Sequence, residues 1–290
     1  MSGRLIKIAA LQEKALPRAP VVAKLERTTK LIEAAAKDGA KMVLCGELCT
    51  TDYDRCFGQK DWALFDEAEP VPGPSTNVIA SLAKKLGIYI IFPMFEKGAP
   101  GIYFNSAITI GPDGNIIDVY RKTQVAGMRA LEKMYFRAGQ KFSVHQTTSQ
   151  PNAQFGTIIC HDRQYPEPPR IIAMLGAEIM FCPVAAPRYA HGPHWELVNR
   201  SRALDNGMFC VYANRIGQEG NNDYFGESMI INPHGEIIAF GGDQENTHII
   251  AECDLDLVDD ARKNCPTLRD LRVDLWMKYY QPAYDTWVSR

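Results

Sequence analysis

Three side chains able to take part in acyl chemistry stand at the ends of strand-like runs. Met42-Val-Leu-Cys-Gly leads to Glu47, Ile116-Ile-Asp-Val-Tyr-Arg leads to Lys122, and Phe155-Gly-Thr-Ile-Ile leads to Cys160. Strand ends that feed polar turns are where a rigid scaffold presents reactive groups. Cys160 is the most telling of the three. It opens the charged stretch His161-Asp162-Arg163-Gln164-Tyr165-Pro166-Glu167, which cannot continue a strand, so the thiol stands at a turn among acids and an arginine. That setting suits a nucleophile. The ordinary alternative is a buried cysteine acting as a small hydrophobe. Glu47 could equally be a surface carboxylate, and Lys122 and Arg121 strand-edge charges that discourage pairing. Spacing alone does not bring the three together.

The elements that would position them come from an internal duplication. Tyr103-Phe-Asn-Ser-Ala-Ile-Thr-Ile-Gly-Pro-Asp-Gly-Asn-Ile-Ile117 and Tyr224-Phe-Gly-Glu-Ser-Met-Ile-Ile-Asn-Pro-His-Gly-Glu-Ile-Ile238 share a pattern of strand, Pro-x-Gly turn and strand. The preceding stretches also correspond. Gly39 to Cys45 matches Gly176 to Cys182, and Gly87 to Phe92 matches Gly207 to Tyr212, each a helix end at a glycine suited to a left-handed C-cap followed by a buried strand. The second hairpin has Phe240 to Gly242 where the first has Tyr120 to Lys122, so the hairpin itself does not require the lysine.

Helical periodicity places Leu25, Thr28, Thr29, Ile32, Ala35 and Ala36 on one face. Val78, Ile79, Leu82, Ala83 and Leu86 share another, behind Ser75 as capping candidate. Two half-domains, each a sheet with helices on one face, bury their free faces by packing sheet to sheet. The expected fold is therefore an α/β four-layer αββα sandwich. The halves meet near Gln146 to Asn152, but neither folds alone, so residues 1–290 form one domain. Beyond Leu257 the repeat stops. The tail 257–290, with Leu268, Leu271, Val273, Leu275, Trp276, Tyr279 and Tyr280, either docks on a neighbouring subunit of a homo-oligomer (dimer or tetramer) or covers its own flank.

Composition narrows the classes. The 290 residues are 46% hydrophobic and 23% charged, an ordinary globular balance. A formal net charge of -2 offers no basic footprint for nucleic acid. The first ten residues are interrupted by Lys7, and no run approaches the roughly eighteen apolar residues of a membrane span, so a cytoplasmic protein without membrane association is expected. Eight cysteines are too sparse for a disulfide scaffold, and we read them as reduced. Cys45, Cys49, Cys56, His191 and His194 lack paired Cys-x2-Cys knuckles, so no metal and no cofactor is expected.

Gly46-Glu47-Leu48, Tyr120-Arg121-Lys122 and Ile159-Cys160-His161-Asp162-Arg163, in that order, resemble the nitrilase (carbon-nitrogen hydrolase) superfamily over roughly residues 5 to 257. Within it the nearest pattern is that of the N-carbamoyl-D-amino acid amidohydrolases. Their Cys-Asn-Asp-Arg-Arg-Trp-Pro-Glu segment is similar to Cys160 through Glu167, and their Leu-Glu-Lys-x-Tyr-Phe-x-x-Gly segment to Leu131 through Gly139. The resemblance implies a Glu47-Lys122-Cys160 triad. Glu47 would take the thiol proton, pass it to the departing amine and then activate water against a thioester-like intermediate. Lys122 and the backbone N–H after Cys160 would hold the oxyanion. Glu132 matches the family's second glutamate, expected to orient the substrate amine and the lysine.

Arg163 matches one of two arginines that clamp a substrate carboxylate in those enzymes. The second is Gln164 here, and His161 replaces an asparagine, so Arg188 or a histidine of His191-Gly-Pro-His194 would have to complete the clamp. The expected substrate is a small N-carbamoyl amino acid or ureido acid. The runner-up is a neutral amide of the aliphatic amidase or formamidase type, since those enzymes share the Cys-x-Asp-x-x-Tyr-Pro-Glu segment and a Tyr-Phe-Gly second hairpin, here Tyr224-Phe225-Gly226. A non-catalytic binding module would have lost a triad member, and acyl transfer to an amine would use the same residues.

Overall fold

The computed structural model describes residues 3–127 and 130–290. The first half runs β1 (Leu5–Gln12), α1 (Val21–Lys37), β2 (Met42–Leu44), α2 (Pro74–Leu86), β3 (Tyr89–Ala99), β4 (Ile102–Ile110), β5 (Ile116–Arg121) and the short α3 (Glu132–Tyr135). The second runs β6 (Val144–Gln146), β7 (Gln154–Thr157), α4 (Glu167–Met174), β8 (Ile179–Val184), α5 (Arg188–His191), α6 (Trp195–Asn206), β9 (Phe209–Asn214), β10 (Ile216–Glu219), β11 (Asn222–Phe225), β12 (Met229–Ile231) and β13 (Ile237–Phe240). Then come β14 (Thr247–Asp254), α7 (Asp256–Asn264) and α8 (Val273–Val288). Two six-stranded sheets result, ordered β14-β1-β2-β3-β4-β5 and β13-β12-β9-β8-β7-β6.

The layering follows from the two-residue period of a strand. In the first sheet Ile6, Ile8, Ala10, Met42, Leu44, Tyr89 and Ile91 point into a core shared with Phe155, Ile179, Phe181 and Phe209 of the second sheet. The intervening Ala9, Leu11, Val43, Ile90 and Phe92 pack on Leu25, Ile32, Ala35, Ile79 and Ala83 of α1 and α2. These are the four layers the duplication predicts. All four glycines that precede the buried strands, Gly39, Gly87, Gly176 and Gly207, have positive φ, the conformation that ends a helix cheaply only at glycine.

The structure departs from the sequence reading in several places. Helix α2 starts at Pro74 and Ser75 is not its cap: the Ser75 hydroxyl donates to Glu69 at 2.7 Å, while Thr76 Oγ1 takes the Gly73 N–H at 2.7 Å. Val78 is exposed rather than on the buried face. The Gln146–Asn152 loop is the turn of the β6–β7 hairpin inside the second sheet, so the halves join before Val144. The second hairpin is also interrupted. Gly226 and Glu227 both have positive φ, which breaks the strand that β4 carries through unbroken and leaves Tyr224 and Phe225 in a separate β10–β11 ribbon. Strand β14 crosses back to pair antiparallel with β1 from Leu5↔Asp254 to Gln12↔Thr247. In the tail, α7 buries Val258 and Ala261 against its own chain, whereas α8 buries no side chain.

Gln12 ties the crossing together. Fully buried at the end of β1, it donates Nε2 to the carbonyls of Gly241, Gly242 and Gln244 and accepts the Ser228 N–H at 2.8 Å. An apolar replacement orphans the buried Gly241 carbonyl and Ser228 N–H, each worth about 1–3 kcal/mol when left unpaired. Gln12→Leu should therefore lower unfolding stability by ~2–4 kcal/mol, seen in urea as a lower midpoint at an unchanged m-value.

Candidate active site

The three strand ends converge. Glu47 follows β2, Lys122 follows β5 and Cys160 follows β7, and all three are buried. Lys122 Nζ lies 2.9 Å from Glu47 Oε1 and 2.9–3.0 Å from both carboxylate oxygens of Glu132. The Cys160 thiol stands near enough to the Glu47 carboxylate for each to shift the other's pKa. Asn105 Nδ2 donates to Glu47 Oε1 at 2.8 Å, and the Ala185 N–H at the end of β8 donates to Oε2 at 2.8 Å. Glu132 is no surface acid: it opens α3, is fully buried, and also accepts from the Tyr53 hydroxyl and the Ala126 N–H.

Charge divides the roles. Burial alone would raise the Glu47 pKa, but Lys122, the Cys160 thiol and the Asn105 amide hold it below the ordinary glutamate value. Glu132 is pushed up, chiefly by burial and then by the Glu47 charge. Of the two carboxylates sharing Lys122, Glu47 is therefore the one that stays ionised to lower pH. Lys122 is held charged: burial works against it, and Glu47 overcomes that. The Cys160 thiol is pushed well up, by burial first and by Glu47 second, with Lys122 and Arg163 opposing. An ionised carboxylate beside a protonated thiol is a general base waiting for its proton.

The local backbone serves this meeting. Cys160 has φ +43° and begins a 3-10 turn through Gln164, so the residue projects from the strand end in a conformation that non-glycine residues rarely adopt. Asp162 locks that turn to the segment carrying Lys122. It accepts the Ile159 N–H, the Tyr120 and Thr123 hydroxyls and the Gln124 N–H at 2.6–2.9 Å.

Cys160 opens into a cavity of about 210 Å³. Its walls are Tyr53, Phe57, Tyr189, Pro187 and the alanines 126, 130, 185 and 190, with His161 beside the thiol. Burial, reinforced by Lys122 and Arg163, lowers the His161 pKa to about 4, so the imidazole is neutral at physiological pH. Among the described residues no Asp, Glu, Lys or Arg side chain lines the cavity.

The expected carboxylate clamp is not assembled there. Arg163 points inward: Nε donates to Asn199 Oδ1 and Nη1 to the Cys160 carbonyl, both at 2.9 Å, and the guanidinium lies 4.8 Å from the Trp195 ring centroid. It braces the turn rather than facing substrate. Gln164 does not line the cavity, and its carbonyl accepts from Arg202. Arg188 is exposed and paired with Asp223 at 3.1 Å, outside the wall its neighbours Pro187 and Tyr189 form. Of the expected substrate-binding residues only His161 reaches the cavity, and the His191 side chain lies outside the described residues.

Sequence reasoning missed Tyr53, Asn105 and Asp162. Asn105 had a readable signal: the duplication puts Gly226 at its counterpart, the same asymmetry that singles out Lys122. Asp162 lies in the charged Cys160–Glu167 stretch, where nothing local marks its role. Nothing near Tyr53 marks it. All eight cysteines are free, and among the described residues no three His, Cys, Asp or Glu side chains stand together as a metal site. Nor is any described helix long and apolar enough to cross a membrane.

Comparison with known proteins agrees with this geometry. The profile of the family "Carbon-nitrogen hydrolase" matches residues 7–263. An N-carbamoylputrescine amidase from Solanum lycopersicum is 35% identical over 94% of this chain and 94% of its own. An omega-amidase from Danio rerio is 31% identical over 87% of this chain and 90% of its own. The crystal structure of a carbon-nitrogen hydrolase from Helicobacter pylori G27 superposes with a TM-score of 0.87 at 30% identity, covering 96% of this chain and 98% of that one. With the family profile spanning most of its length and both sheets reproduced in a solved relative, the chain belongs to the carbon-nitrogen hydrolase family, enzymes that act on non-peptide C–N bonds.

Proposed function

We propose that the protein hydrolyses a small N-carbamoyl (ureido) compound, with Cys160 as nucleophile, Glu47 as general acid-base and Lys122 as oxyanion donor. The observation that carries this is the grouping of the Cys160 thiol, which lines a small cavity, with the buried Glu47 carboxylate and the Lys122 ammonium bonded to it. Glu47 takes the thiol proton as sulfur attacks the carbamoyl carbon, and the developing O⁻ is held by Lys122 Nζ and the His161 N–H. Glu47 returns the proton to the departing nitrogen and ammonia leaves, giving a thiocarbamate on Cys160. Water, deprotonated by Glu47, then attacks the same carbon and releases the thiol. The freed carbamic acid loses CO2 to give the amine, so one water is consumed overall.

Two features bear on the substrate. N-carbamoylputrescine amidases stand among the relatives, which supports a ureido group. The uncharged cavity and the inward turn of Arg163 mean that the remainder of the substrate is read by shape and apolar contact near the thiol, not by that guanidinium. The same uncharged wall favours a neutral short-chain amide as second reading. A further proposal concerns assembly. Helix α8 exposes Trp276, Met277, Tyr279, Tyr280, Tyr284 and Trp287 and meets its own chain at α4, where the Tyr280 hydroxyl donates to Glu167 at 2.5 Å. An aromatic face of this kind fits a second copy of the chain in a homo-oligomer.

Ammonia release should be measured on N-carbamoyl amines, N-carbamoyl amino acids of both hands and short aliphatic amides. Cys160→Ala should be inactive on all of them, and residual turnover would exclude the thiol as nucleophile. Lys122→Met, confirmed folded by circular dichroism, should lose ~10²–10³-fold in kcat with a small change in KM, as for removal of an oxyanion donor. Because Glu47 ionises below the ordinary glutamate range and His161 is neutral above about pH 4, kcat/KM should show no acid limb near pH 6.5. A limb there would point to a histidine base. Sedimentation should find an oligomer that the Trp276→Glu, Tyr280→Glu double variant dissociates; a monomeric native protein removes the assembly proposal.

A further inference from the structure

The loop carrying Glu47 is clamped from the opposite half of the molecule. Arg215, between β9 and β10, is buried, and its Nη2 donates to three backbone carbonyls of that loop: Glu47 at 3.0 Å, Leu48 at 2.9 Å and Thr51 at 3.2 Å. Nη1 is paired with Glu219 at the end of β10. The other Glu219 oxygen accepts the N–H groups of Tyr53 at 3.0 Å and Asp54 at 3.3 Å. A separate acid, Glu13, accepts the Gly46 N–H at 3.0 Å. Carbonyls and amides on both sides of the loop thus converge on one arginine–glutamate pair.

This pair is more than core filling. Leu48 has φ +46°, a conformation unfavourable for leucine, and Arg215 grips the carbonyls of Leu48 and of Glu47 just before it. The partner Glu219 fixes the backbone of Tyr53, whose hydroxyl holds Glu132. Arg215 thus holds the backbone of Glu47 directly and bears on Glu132 through Glu219 and Tyr53, using a planar fork that a lysine cannot reproduce. Arg163 does the corresponding work at Cys160, which is also left-handed, by gripping its carbonyl.

We infer that Arg215 and Glu219 are positioning residues: they hold Glu47 and Tyr53 at the spacing proton transfer from Cys160 requires. The inference rests on the Glu47–Lys122–Cys160 reading above, so its test includes an arm that needs no substrate. Arg215→Lys and Glu219→Gln are compared with the native protein for kcat, KM, the acid limb of kcat/KM, thermal midpoint, and the rate of Cys160 labelling by iodoacetamide, followed on the Cys160 peptide by mass spectrometry. Arg215→Lys should lose about 10²-fold in kcat with KM nearly unchanged, the loss expected when a reacting group moves by about 1 Å. The acid limb should move to higher pH, because a displaced Glu47 loses the lysine that depresses it. Labelling at neutral pH should slow by about tenfold, since a positioned base is worth ~10²-fold or more. Glu219→Gln, nearly isosteric, should shift the same readouts in the same direction by less.

A lower thermal midpoint with kcat, pH profile and labelling unchanged would reduce the pair to a structural role and overturn the inference. If Arg215→Lys does not fold, Glu219→Gln decides alone, and native values in it are likewise fatal. If no ureido compound is turned over but labelling slows as stated, the clamp stands and the substrate reading falls.

Discussion

Burial of the Lys122 ammonium is the constraint on which the site depends. Taking such a charge out of water costs several kcal/mol even after relaxation, so the fold must supply compensation at short range. It does so twice over, with Glu47 and Glu132 both within 3.0 Å. Sharing one lysine separates the two acids: burial and the Glu47 charge push Glu132 up, while Lys122 holds Glu47 down. The thiol, kept protonated by burial first and by Glu47 second, thus faces one carboxylate ready to accept its proton. The second acid, bonded by the Tyr53 hydroxyl and the Ala126 N–H, anchors the lysine without competing for the proton of sulfur.

Around this quartet the scaffold works mainly through backbone groups. Strand ends deliver the residues, but the turns that aim them are strained, with Leu48 and Cys160 both left-handed. Each strained carbonyl is held by a buried arginine, Arg215 for the first and Arg163 for the second. The Ala185 amide reaches Glu47 from the end of β8, the strand that corresponds in the duplication to the one preceding Glu47. The two halves thus complete one another's loops as well as one another's core.

Much of this was legible in the sequence because the signals were periodic or repeated. The four glycine stops, the paired hairpins and the two-residue alternation of the strands fixed the four layers. Asymmetry between the repeats marked Lys122 as serving something other than folding. Legibility ended where a role depended on side-chain direction. The resemblance implies a carboxylate clamp for Arg163, yet its guanidinium turns into the core against Trp195 and Asn199. Ser75 looked like a cap, but Glu69 claimed its hydroxyl and Thr76 served Gly73. Arg215 and Glu219 gave no local hint, since the carbonyls and amides they hold lie more than 160 residues away in the chain.

The return of β14 to the first sheet has a consequence for synthesis on the ribosome. The outer hydrogen-bonding edge of β1 finds its partner only when Thr247–Asp254 has emerged, after nearly all of the intervening chain. Until then an apolar strand presents unpaired amides and carbonyls, the arrangement that invites association with other nascent chains. Completion of this sheet therefore waits on residues 247–254, and β1 is open to mispairing for as long as they are missing.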